Sequence, residues 1–506
     1  MTHANRYDRQ VAGRYEAREA DWRNGAVVYQ VLVDRFAPSA DLDAKRHLYP
    51  APKTLRTWTE QPRRGRYLDS HQLWSHEIDF WGGDLASLRG RLDHVQQLGA
   101  DVLYLNPICQ AYTNHKYDAL DYKAVSPEYG TRQDVVQLAD ELHRRGMKLV
   151  LDGVFNHMGR QSPLFQQAER DPASPHRDWF DFGPQYPSGA RAWWGAANLP
   201  ELNLENPAVR EHLFGAPDSV VRGWLRDGID GWRLDVAFDI GFNVLQALTE
   251  AAHAEKPGSL VVGEIPNYPK EWFPSVDGVM HFAIRRLLLG LAGGSLDGAT
   301  VGRMLTRIIG DAGVDNMLKS WLYLDNHDTD RMASVVPDER RRRVAQVLQF
   351  TLPGSPNLYY GSEVGMTGTH DPEMRGPMRW DLVAKGHPQL AWTKQLIGLR
   401  QHRALKVGDY RTLEARELFA FERHTDRALE SVFVVANPAP HEVTDLLLIT
   451  NSKLMDGTTL VDLLGQVPPV AASATLAPVT VPAHTVLVLK PEQKRDDGYT
   501  NYKRVQ

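Results

Sequence analysis

A (β/α)8 barrel is the fold that this 506-residue sequence predicts, with a subdomain inserted after the third strand and a C-terminal antiparallel β-sandwich. Three observations predict it. Short apolar runs alternate with amphipathic stretches along most of the chain, which is the rhythm of a parallel sheet with helical crossovers. Polar clusters fall directly after those runs, where barrel enzymes carry their chemistry. Beyond about residue 405 the rhythm changes to short alternating runs such as Ser431–Ala436 and Val486–Leu489, which suit a β-sandwich.

The elements follow in order. Residues 1 to about 24 are polar and charge-rich and read as a peripheral arm or helix. The run from Ala26 to Val33 reads as the first strand, and a long loop continues to about residue 80; loops of that length inside compact domains usually serve a function. Leu85, Leu88, Leu92, Val95 and Leu98 keep helical spacing up to Gly99, predicting one helix. Val102–Leu105 is the second strand, Thr131–Gly146 a helix, and Lys148–Asp152 the third strand. An aromatic, proline-rich interval at 158–205 is the inserted subdomain. The barrel resumes at 206, with strands ending at Asp235, Glu264, Met280, Leu324 and Tyr360. It therefore comprises 1–157 and 206–404, followed by the sandwich at 405–490 and a charged tail at 491–506.

Composition narrows the function. A net charge of -5 leaves no basic footprint for nucleic acid and no polybasic membrane anchor. No run approaches the ~18 apolar residues of a membrane span. The single cysteine, Cys109, excludes an internal disulfide framework, suits a reducing compartment and reads as a packing residue. Cytoplasmic is the expected location. Thirteen tryptophans and eighteen tyrosines fit a sugar-binding cleft, although most large aromatics fill cores.

The chemistry lies at the strand ends. Asp152, Asn156 and His157 close the third strand, Arg233 and Asp235 the fourth, Glu264 the fifth, and Asn326-His327-Asp328 the seventh. Residues i and i+2 of a strand share a side, so Arg233 and Asp235 project together. Gathered acids repel one another, which argues against a purely stabilising role. No H-E-x-x-H or comparable metal spacing appears. Glycoside hydrolysis needs one ionised and one protonated carboxyl; Asp235 beside Arg233 is expected to have a lowered pKa, and Glu264, after an apolar strand, a raised one.

Four ordered motifs carry a resemblance: Asp152-Gly-Val-Phe-Asn-His157, Gly231-Trp-Arg-Leu-Asp235, Gly263-Glu264-Ile265 and Asn326-His327-Asp328. The chain resembles the alpha-amylase family of glycoside hydrolases from about Val27 to Lys490. The resemblance implies that Asp235 is the nucleophile, Glu264 the general acid/base and Asp328 the carboxylate that stabilises the transition state. It also implies that Asp152, His157, Arg233 and His327 line the same subsite, that Tyr117 stacks on the sugar, and that Asp371 and Arg375 form a second sugar-binding pair.

Leu199-Pro-Glu-Leu-Asn203, Asp277-Gly-Val-Met280 and Gly361-Ser-Glu-Val-Gly-Met366 are similar to the neopullulanase, cyclomaltodextrinase and maltogenic amylase group. A first strand near residue 26 leaves no room for that group's N-terminal domain, and the dimer it supports is not implied. Phe238-Asp239 replaces the Lys-His pair of secreted amylases, so no cofactor is required and structural calcium is unsupported. Trp193, Trp194, Trp232 and Trp380 are candidate sugar platforms; packing is the better reading for each singly, and Trp193-Trp194 is the best candidate. The expected activity is retaining hydrolysis of α-1,4 glucosidic bonds, with α-1,6 bonds as a further linkage, in maltooligosaccharides, cyclodextrins or pullulan. Two alternatives stand: a transglycosylase or isomerase using the same intermediate, and a non-catalytic barrel serving as an interaction subunit.

Overall fold

The computed structural model describes residues 6–492. Eight parallel strands form one sheet: Val28–Val31, Val102–Leu105, Lys148–Gly153, Gly231–Leu234, Leu260–Gly263, Gly278–Val279, Trp321–Leu322 and Ser355–Tyr359. Counted along the chain, their spatial order is 6-5-4-3-2-1-8-7. A parallel bridge between Met280 and Trp321 joins strands six and seven and closes the barrel.

Strand alternation explains the two layers of the core. Val28, Val102, Tyr104, Val150, Leu260, Val262, Met280, Trp321 and Tyr323 pack together as a cluster inside the barrel. Their neighbours in sequence, such as Tyr29, Leu103, Leu149 and Val261, pack outward against the helices. Apolar residues occupy both sides of the strands, so the runs read as continuous rather than alternating.

Several expectations need correction. The single helix expected up to Gly99 is two, Leu85–Arg89 and Leu92–Leu98, separated at Gly90 and Arg91. Asp84 caps the first through Ser87 N–H, and Gly99, at φ 97°, ends the second in the left-handed conformation that glycine favours. The long excursion after the first strand is not a bare loop. It pairs Thr54–Leu55 with Asp79–Phe80 and Tyr67–Leu68 with Leu73–Trp74, and it buries a small core of Tyr49, Leu73, Ile78 and Phe80. The last strand runs to Glu492, so Pro491 and Glu492 belong to the sandwich; the tail expected beyond them lies outside the described residues.

The interval at 158–205 contains one α-helix, Pro163–Arg170, two single-turn 3-10 helices at Arg177–Trp179 and Trp193–Gly195, and otherwise turns and isolated bridges. The C-terminal domain stacks a six-stranded sheet and a two-stranded sheet around their own core, including Phe433, Val435, Leu447, Leu460, Val479 and Leu487. At the bottom of the barrel two buried arginines join it to that domain. Arg400 donates to the carbonyls of Gly25, Phe350, Gly354 and Leu405. Arg423 donates to those of Thr351, Gly408 and Asp409. No helix among the described residues is long and apolar enough to cross a membrane.

Candidate active site

Register brings the carboxylates together. Arg233 pairs with Asp152 on the third strand, and Leu234 pairs with Gly263 on the fifth. One residue later, Asp235 N–H donates to Gly153 O at 3.0 Å and Glu264 N–H to Leu234 O at 2.9 Å. The ladder thus continues past the strand ends and holds both residues level. Parallel partners in register face the same side, so Asp152, Arg233, Asp235 and Glu264 all project into the barrel mouth.

Arg233, fully buried, is the hub. Its Nη1 donates to Asp152 Oδ1 at 2.8 Å and to Asp235 Oδ1 at 3.0 Å. Its Nη2 lies 2.7 Å from Glu264 Oε2, an ion pair whose angle falls short of a hydrogen bond. Burial alone pulls the guanidinium pKa down, but Asp152 and Glu264 more than reverse it and hold the group firmly charged. Asp152 also accepts the hydroxyls of Tyr104 at 2.6 Å and Tyr117 at 2.9 Å. Immediately after Asp235 the backbone turns sharply: Val236 has φ 46° and ψ 40°. That turn aims Val236 N–H at Glu264 Oε2, 3.0 Å away.

The seventh strand supplies the opposite wall. The Tyr117 ring lies parallel to His327, with centroids 5.4 Å apart, and its hydroxyl is 2.5 Å from His327 Nε2. Gln30 Nε2 donates to His327 Nδ1 at 2.8 Å, which leaves the ring proton on Nε2, 2.9 Å from Asp328 Oδ2. Arg375 donates through Nε to His327 O at 2.8 Å and contacts Asp328 Oδ1 at 3.2 Å and Asp371 Oδ1 at 3.1 Å. The surrounding protein disfavours charge on Asp328 and Asp371. His327 and Arg375 at Asp328, and Arg375 and His76 at Asp371, outweigh this and hold both carboxyls well below the usual range.

The expected lowering at Asp235 does not occur. Burial raises its pKa well above the usual carboxylate value, and Glu264, Asp152 and Asp328 add to the rise against the pull of Arg233. One cation does not offset burial and three adjacent acids in a dry site, so Asp235 gives up its proton less readily than an exposed aspartate.

The remaining wall is aromatic. His157 Nε2 stands 4.0 Å from Asp235 Oδ2 and has no hydrogen-bond partner. Burial lowers its pKa to about 3, so it is neutral and its free nitrogen suits a sugar hydroxyl. Its ring stacks on Trp193, which stacks on Trp194 with centroids 5.4 Å apart. Trp194 is 81% exposed. The other two tryptophans pack: Trp232 is buried against Phe155, and Trp380 donates to Phe36 O and packs edge-on to Phe36.

Sequence reasoning missed several supporting residues. Gln30 and Tyr104 hold His327 and Asp152, and the inward parity of the first two strands would have found them. His115, in the loop two residues before Tyr117, positions it: its Nδ1 accepts Tyr117 N–H at 3.1 Å and the two rings stack. The Val236 amide carries no side-chain signal at all. Among the described residues, no cluster of three or more His, Cys, Asp or Glu has metal-binding geometry.

Comparison with known proteins agrees with the fold. Residues 30–406 match the alpha amylase catalytic-domain family model. Neopullulanase 2 of Thermoactinomyces vulgaris is 33% identical over 465 residues, covering 88% of this chain and 74% of that protein. The intracellular maltogenic amylase of Bacillus subtilis is 30% identical, covering 87% and 73%. Among solved structures, the cyclic alpha-maltosyl-(1→6)-maltose hydrolase of Arthrobacter globiformis superposes with a TM-score of 0.78 at 28% identity, covering 93% of this chain and all of that one.

Proposed function

The chain belongs to the alpha-amylase family of glycoside hydrolases, and from that premise we propose that it hydrolyses α-1,4 glucosidic bonds, and α-1,6 bonds as a further linkage, in maltooligosaccharides, cyclodextrins or pullulan. Asp235 attacks the anomeric carbon while Glu264 protonates the departing glycosidic oxygen, and a covalent glycosyl-enzyme forms. Glu264, now a carboxylate, takes a proton from water; that water displaces Asp235, and the sugar leaves with its original anomeric configuration. Arg233 keeps the nucleophile oriented and screens it from Asp152. Asp328, ionised and fixed by His327 and Arg375, offsets the positive charge that develops on the sugar.

One observation carries this reading: a single buried guanidinium contacts Asp152, Asp235 and Glu264 together. A nucleophile and an acid held on one guanidinium are expected to lie at the ~5–5.5 Å of a retaining enzyme rather than the ~6.5–9.5 Å that an inverting enzyme leaves for water. The reading needs no cofactor. The lone cysteine and the similarity to a protein named intracellular favour the cytoplasm as its place of work.

The test is proton NMR of fresh digests of maltotriose, β-cyclodextrin and pullulan. The first product to accumulate is expected to be the α-anomer. A β-anomer would exclude the covalent intermediate; no product from any of the three would leave the barrel a binding subunit.

A further inference from the structure

The excursion after the first strand presents a second aromatic pair. Tyr67 and Trp74 face each other across a two-stranded hairpin, with ring centroids 5.7 Å apart and an interplanar angle of 74°. They are 45% and 36% exposed. Two large aromatics side by side in water are uncommon without a role. The hairpin is not a loose flap, because Leu73 between them is buried in the small core with Tyr49, Ile78 and Phe80.

Two routes connect the pair to the site. Trp74 N–H bonds to the Glu77 carboxylate; Glu77 Oε1 holds His115 Nε2 at 3.1 Å, and His115 stacks on Tyr117. The Trp74 ring also packs against His76, with centroids 6.1 Å apart. His76 Nε2 lies 3.5 Å from Asp371 Oδ2, and Asp371 pairs with Arg375. The aromatic pair therefore lies one residue, His76, beyond the Asp371–Arg375 pair. A similar relay occurs at Asp235, where Trp193 packs on His157. The hairpin turn, through Ser70, His71 and Gln72, also lines a polar cleft of about 290 Å³ against Arg160 and Asn198 of the inserted subdomain.

We propose that Tyr67 and Trp74 form an outer subsite for a neutral α-linked glucosyl unit, reached only by chains extending past Asp371, and that this subsite makes the enzyme favour longer linear substrates. A sugar presents an apolar C–H face and a rim of hydroxyls. Tyr67 and the Trp74 face turned away from Arg64 supply the aromatic surface, and Arg64, whose guanidinium lies over the Trp74 ring 4.9 Å from its centre, supplies N–H donors beside it. The inference rests on the proposed glucan substrate but not on turnover.

The test compares wild type, Trp74→Ala, Trp74→Phe and Tyr67→Ala on maltotriose and maltoheptaose. In Trp74→Ala, kcat/KM for maltoheptaose is expected to fall about five- to tenfold, the span of one aromatic contact, with maltotriose unchanged and Trp74→Phe restoring most of the loss. Tyr67→Ala guards against a merely misfolded hairpin and is expected to show the same length dependence. Equal losses on both substrates, no loss on either, or a changed oligomeric state in Trp74→Ala would overturn the proposal. Calorimetric titration of the same saccharides into Asp235→Asn, with and without Trp74→Ala, separates the two readings. Length-dependent binding that needs Trp74, without any wild-type turnover, would remove the catalytic reading and keep this one; turnover without that dependence would do the reverse.

Discussion

The barrel has two buried sets of arginines at its opposite ends, and they meet different partners. At the mouth Arg233 faces three carboxylates. At the base Arg400 and Arg423 face only backbone carbonyls, seven in all. The surroundings push their pKa values apart: Arg233 is raised, whereas burial draws Arg400 down to about 10, and burial together with Arg400 draws Arg423 well below its usual value. The base uses its cations to satisfy chain ends where helix, strand and sandwich meet, which is a structural task. The mouth gathers charges that would be more stable apart, which makes sense only if chemistry uses them.

The contrast breaks most visibly at Asp235. Asp235→Asn should cut kcat at least ~10³-fold, as loss of a nucleophile does, yet leave the melting temperature unchanged or raised, because it removes a carboxylate whose charge the site disfavours. A large fall in melting temperature would show that the mouth is structural after all.

Arg400→Ala is the converse. It strands four buried carbonyls and should cost about 2–4 kcal/mol in urea unfolding with kcat retained. Loss of activity matching the loss of folded protein would support the contrast; loss of kcat in the folded fraction would refute it.

A pH-dependent effect comes from two buried histidines, His157 at the mouth and His281 beside Met317. Burial lowers both to about 3. Their folded values lie below the unfolded ~6.5, so the unfolded chain binds more protons and stability falls as pH drops from about 6.5 toward 3. Together they should contribute a slope of ~2.7 kcal/mol per pH unit. Urea midpoints across that window should show it, and His281→Gln should halve the histidine part.

Smallest is Trp194→Ala. Its ring is mostly in water, so KM should rise only about threefold with kcat unchanged; a drop in kcat would move Trp194 into the reacting subsite.

How much was legible in advance follows from the same geometry. Strand ends are marked by local pattern, and the catalytic candidates sit within four residues of an apolar run, so Asp235, Glu264 and Asp328 could be placed at strand ends from sequence. The raised pKa of Asp235 could not be read in advance. It depends on burial and on Glu264 and Asp152 from neighbouring strands, far apart in sequence and adjacent only through register. The break at Gly90 was hidden because the apolar spacing runs straight through it. The paired hairpin at 67–74 was hidden because two-residue strands leave no periodicity to read.

The turn at Val236 bears on how this protein can be improved. A β-branched residue in the left-handed region stores roughly 1–3 kcal/mol, and here its amide meets the Glu264 carboxylate. Selection for heat resistance alone should therefore find Val236→Gly attractive, since glycine relaxes the backbone even as it gives up a buried isopropyl group. The relaxed chain would no longer be held in the one conformation that points N–H at the acid. A thermostable variant obtained this way should deliver its proton less reliably, so the strain at this position limits how far robustness can be raised before turnover suffers.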